Sequence, residues 1–98
     1  MSIHIQQLVQ EIKKQLNEWG AFSVRVQKTN PIILITAILQ SGENYECYIT
    51  PQSDSKYEVY HWVEKFGAFA QKVKNDEICV DIVLHDLEAM FEHWKLIE

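Results

Sequence analysis

Ile32-Ile33-Leu34-Ile35-Thr36-Ala37-Ile38-Leu39, then Gln40-Ser41-Gly42-Glu43-Asn44, then Tyr45-Glu46-Cys47-Tyr48-Ile49-Thr50 is the stretch from which the fold is read. The first part is a short apolar run bounded by Pro31 and a turn, the length and β-branched content of a buried strand. The second part carries turn chemistry, and the third alternates, so the three together predict a β-hairpin. Gly42-Glu43 suits a two-residue turn with glycine at its first position. That turn would place Leu34, Thr36 and Ile38 on one face with Tyr45, Cys47 and Ile49. The opposite face would then carry Ile33, Ile35, Ala37 and Leu39 with Glu46, Tyr48 and Thr50. A turn one residue longer or shorter reverses the pairing, because side chains alternate between faces.

On the amino-terminal side, Phe22, Val24 and Val26 alternate with Ser23, Arg25 and Gln27, the pattern of a half-buried strand. Lys28-Thr29-Asn30-Pro31 connects it to the hairpin, giving a three-stranded antiparallel meander. Before it, Ile5, Leu8, Val9, Ile12, Leu16 and Trp19 recur at helical spacing. Ser2 is the candidate N-cap and Gly20 suits the left-handed position past the end. After it, the loop Pro51-Gln52-Ser53-Asp54-Ser55 leads to a segment in which Val59, Trp62, Val63, Phe66, Phe69, Ala70 and Val73 form a helical stripe, with Asp54 or Ser55 as cap. Gly67 falls inside that expected helix at a cost of about 1 kcal/mol relative to alanine.

Residues 76–97 read as one further helix, capped at Asp76, with Val80, Val83, Leu87, Met90, Trp94 and Ile97 on one stripe. A short fourth strand at 78–84 is the alternative, since Ile78, Val80, Ile82 and Val83 are β-branched. The expected architecture is thus α+β, in the order helix, three antiparallel strands, helix, helix. With 98 residues and 47% hydrophobic content, residues 1–98 make a single globular domain.

Composition narrows the function. The amino terminus lacks the basic start and apolar core of a secretory signal, and no apolar run approaches the ~20 residues of a membrane-spanning helix. The expected setting is soluble and cytoplasmic. Cys47 and Cys79 belong to no Cys-x-x-Cys unit and read as free structural thiols rather than a bridge or a metal site.

No stretch demands a particular chemistry. A catalytic Cys47 or Cys79 would need one of His4, His61, His85 or His93 as base and a context that activates the thiol, which the sequence does not supply. On a helix, Asp81, His85, Glu88 and Glu92 share one face. That row lacks the second histidine that a helical catalytic metal site usually supplies, so it reads as a solvated face, and no cofactor is expected. The expectation is a protein without enzymatic activity.

The order helix, three strands, helix over residues 3 to 73 resembles the layout of double-stranded-RNA-binding domains. That resemblance implies lysines at the start of the second helix, where this chain has Asp54-Ser55-Lys56-Tyr57-Glu58. One lysine between two acids lacks the counterion release that drives such binding, so direct nucleic-acid binding is kept only as the alternative function. The layout is also similar to the small acidic chaperones of secretion systems, which combine a flanking helix, an antiparallel sheet and a later amphipathic helix. This second resemblance implies a partner-binding role.

Two surfaces call for a partner. The central strand is apolar on both faces, so one layer of helices leaves a face uncovered, and Ile33, Ile35, Leu39 and Tyr48 are the candidate contact residues. A second copy of the chain could cover that face as a homodimer. The other surface is electrostatic: the net charge is −5, and residues 76–98 hold seven acidic groups against one lysine. Asp81, His85, Glu88 and Glu92 are its candidate residues, suited to steering a basic partner, itself a nucleic-acid-binding protein or a nuclease. The expected function is a small acidic protein-binding module: an inhibitor, immunity protein, adaptor or small chaperone.

Overall fold

A computed structural model describes residues 3–53, 56–74 and 77–97. The chain runs α1 (Ile3–Glu18), β1 (Phe22–Thr29), β2 (Ile32–Ile38), β3 (Asn44–Ser53), β4 (Lys56–Val63), β5 (Gly67–Lys74) and α2 (Glu77–His93). The five strands form one antiparallel sheet in the order β1-β2-β3-β4-β5, an uninterrupted meander. The α+β class, the amino-terminal helix and the first three strands agree with the sequence reading. The proposed caps Ser2, Asp54, Ser55 and Asp76 lie outside the described residues.

The expected middle helix is instead the hairpin β4-β5. Its segment Tyr57-Glu58-Val59-Tyr60-His61-Trp62-Val63 is dense in tyrosine, valine and tryptophan, which pack well on a pleated surface. Val59, His61 and Val63 are buried at a period of two, while Tyr60 faces solvent and Trp62 is half-buried. The Phe66 N–H closes the turn onto the Val63 carbonyl at 3.0 Å, and Gly67 follows at a φ of +93°. The glycine that looked costly in a helix supplies the left-handed residue of a turn. Among the described residues there are therefore two helices rather than three. Residues 78–84 lie in α2, so the alternative fourth strand there is absent.

The hairpin register also differs from the expected one. Gly42 N–H bonds the Leu39 carbonyl at 2.8 Å and Leu39 N–H bonds the Glu43 carbonyl at 2.9 Å. This closes a three-residue loop, Gln40-Ser41-Gly42, with Gly42 in the left-handed last position at +92°. Glycine ends the loop instead of beginning it, which shifts β3 against β2 by three residues, an odd number that exchanges its faces. Ile33, Ile35 and Ala37 consequently pair with Ile49, Cys47 and Tyr45. All six are buried.

A bulge in β1 makes a second change of face. Phe22 pairs with Ile38 but Arg25 pairs with Thr36, so one residue is extra, and Ser23 takes a φ of 55°. Val24 and Val26 pack on the core, whereas Phe22 is 54% exposed.

Both helices lie on the inner face of the sheet. α1 packs on β1 and β2, α2 packs on β5, and the two helices touch each other. α1 buries Ile5, Leu8, Val9, Ile12 and Leu16, and α2 buries Val80, Val83, Leu87 and Phe91. Their ends are closed alike: Ala21 N–H reaches the Leu16 carbonyl across Gly20, and Leu96 N–H reaches the Phe91 carbonyl across Lys95. Phe91 joins the layers through Trp19 at 5.1 Å and Tyr45 at 5.5 Å between ring centres. Among the described residues, no helix is long and apolar enough to cross a membrane.

Candidate functional site

Two polar arrangements stand out, one buried and one open. The buried one begins at Tyr45, whose hydroxyl lies 2.7 Å from His61 Nδ1. His61 Nε2 lies 2.7 Å from the Gln71 side-chain oxygen, and the Gln71 amide donates to Asp86 at 3.3 Å. An amide oxygen only accepts, so Nε2 carries the proton and Nδ1 accepts from Tyr45. This line ties β3, β4, β5 and α2 together beneath the helices.

Cys47 is the cross-strand neighbour of His61, and both are fully buried. Burial lowers the His61 pKa to about 4, partly offset by the Gln71 bond, and pushes the Cys47 thiol up to about 12. Tyr45 is raised by burial and by the neighbouring thiol. The pair is therefore neutral thiol and neutral imidazole, the opposite of an activated nucleophile. Cys47 is a free buried thiol, so no bridge joins it to Cys79. The arrangement satisfies a polar side chain in the core.

The open arrangement is the outer face of the sheet. β3 and β4 present a two-by-three grid there: Glu46 opposite Trp62, Tyr48 opposite Tyr60, and Thr50 opposite Glu58. These six residues line a concavity of about 410 Å³. Tyr48 donates its hydroxyl to Glu46 Oε1 at 2.7 Å, which raises its own pKa, and its ring meets Tyr60 edge to face at 6.0 Å. On the β2 side the grid continues into Ile32, Leu34, Thr36 and Ile38, all only half-buried. On the β5 side Ala68 and Ala70 stand opposite Trp62 and Tyr60 and are exposed, so the aromatic rings form a wall above a low margin.

The predicted contact residues divide. Ile33, Ile35 and Leu39 are 4%, 0% and 3% exposed beneath the helices and belong to the core. Tyr48 alone of the four lies on the outer face. Asp81, His85, Glu88 and Glu92 are exposed on α2, on the far side of the molecule from the grid. Among the described residues, no three His, Cys, Asp or Glu side chains converge closely enough to hold a metal. Sequence reading missed Tyr60, Trp62, Glu46 and Glu58 as a group. The signal for three of them is the alternation Glu58-Tyr60-Trp62, which the helical stripe of the same segment masks. No protein-family model, curated protein or solved structure matches this chain, so the geometry alone carries the functional reading.

Proposed function

We propose that this chain is a non-enzymatic protein-binding module that docks its partner on the outer face of the sheet. The observation behind this reading is the uncovered face itself. Ile32, Leu34, Ile38, Tyr48, Tyr60 and Trp62 remain at least partly open to solvent because both helices pack on the other side. Aromatic anchors ringed by polar groups are the composition from which protein interfaces draw most of their energy. The acidic face of α2 adds a long-range field that favours a basic partner without touching it. A reducing, cytoplasmic setting suits the free thiol of Cys47.

The alternative, RNA binding in the manner of double-stranded-RNA-binding domains, loses the helix on which the resemblance rested, since residues 56–74 pair as strands.

The test is retention on immobilised protein. The wild type should hold a defined partner that the double variant Leu34→Lys, Tyr60→Lys releases, with its circular dichroism unchanged. A variant that folds and retains the same partner would sink the reading. Labelled duplex RNA should show no salt-sensitive shift in mobility.

A further inference from the structure

Within that docking face, and resting on the protein-binding reading, the geometry points to a guanidinium site: we infer that the concavity bounded by Glu46, Tyr48, Glu58, Tyr60 and Trp62 receives an arginine side chain from the partner. Three aromatic rings and two carboxylates line one opening on two adjacent strands. Aromatic faces attract cations through their quadrupole, and a planar guanidinium can stack on a ring while its edge donates to a carboxylate. A neutral apolar guest would leave the two carboxylates desolvated beside it, at a cost.

The Tyr48 hydroxyl already occupies Glu46 Oε1, which holds the carboxylate in place and turns the Tyr48 ring against Tyr60. Preorganised groups lose less freedom on binding. The site is open and shallow, and it adjoins the half-buried Ile32, Leu34 and Ile38 on β2. Those apolar neighbours argue for a guanidinium carried on a polypeptide, which can cover them, over a free small cation. The net charge of −5 favours the same class of partner.

A cation of the chain itself competes for the role: Arg25 lies two strands away from Glu46, across Thr36. A second copy offering Arg25 is thus the rival occupant, and the experiment separates it.

The probe is the peptide acetyl-Gly-Arg-Gly-amide, titrated into the full chain labelled with nitrogen-15. The same peptide with citrulline, which keeps the shape and loses the charge, is the comparison. Shifts are expected at residues 46–50 and 58–62, with the citrulline peptide at least about tenfold weaker and added salt weakening the arginine peptide. Glu46→Gln with Glu58→Gln should reduce affinity by about tenfold or more.

Equal shifts from the citrulline peptide would overturn the site. So would shifts confined to the acidic face of α2 around Asp81, Glu88 and Glu92. A dimer in sedimentation that falls apart on Arg25→Ala would assign the face to a second copy and also overturn it. If the arginine peptide gives no shift while Leu34→Lys, Tyr60→Lys still releases the partner, the docking face stands and the cation site falls.

Discussion

His61 is the residue at which burial and chemistry meet. It is 0% exposed, yet its imidazole is bonded on both nitrogens, so the core tolerates it as a neutral group. Its pKa falls from 6.5 to about 4 because burial disfavours the charged form. As pH drops below 6.5 the unfolded chain takes up a proton that the folded chain refuses until about pH 4. Stability is therefore complete above that window and is lost as pH falls through it, by about 3 kcal/mol in total. Urea unfolding between pH 7 and 4 should show this slope, and His61→Leu should flatten it. The same substitution should cost roughly 1–3 kcal/mol at pH 7, because Tyr45 and Gln71 lose their partner. Cys47 offers a second check at this scale: in a Cys79→Ser background it should resist thiol reagents until the protein unfolds.

At the scale of elements, helix ends and hairpin turns decide the fit. Gly20 and Lys95 occupy the same left-handed position at the ends of α1 and α2, with φ of 84° and 59°. A side chain there costs about 1 kcal/mol, so Lys95→Gly should stabilise the protein by roughly that amount in thermal or urea unfolding. Gly42→Ala should destabilise it by about 1 kcal/mol or more, although a Cβ would meet nothing within 4 Å. The penalty would come from backbone conformation alone. α1 and most of α2 were legible from their apolar period, and the Gly20 closure was legible from one residue. The β4-β5 hairpin was not, because Val59, Trp62, Val63 and Phe66 satisfy a helical stripe while His61 breaks the alternation that marks a strand. Tyr45 from β3 and Gln71 from β5 help make a buried histidine acceptable, and both are distant in sequence.

For the whole molecule, the meander with both helices on one side separates two surfaces by the thickness of the domain. The outer sheet face carries aromatic and aliphatic groups, and the far side of α2 carries Asp81, Glu88 and Glu92. Their effects on binding a basic partner should separate kinetically. Asp81→Asn, Glu88→Gln, Glu92→Gln should slow association and flatten its salt dependence, with little change in dissociation. Substitutions at Glu46 and Tyr60 should chiefly speed dissociation. Stopped-flow measurements at two ionic strengths would distinguish them, and an association rate unchanged by the triple variant would remove the steering role of α2.

Local periodicity and composition are enough to specify α1, most of α2, the three strands β1-β2-β3 and the excess of apolar surface on β2. The tertiary structure decided which face of β2 is buried and that residues 56–74 pair as strands. Register hinges on whether Gly42 begins or ends its loop, a three-residue shift whose odd number exchanges Leu34, Thr36 and Ile38 for Ile33, Ile35 and Ala37 on the buried face. That choice is made by closing a layer of helices over one face, an interaction between distant parts of the chain. Tyr48 thereby became part of a surface with Tyr60 and Trp62, while Ile33, Ile35 and Leu39 became the core beneath it.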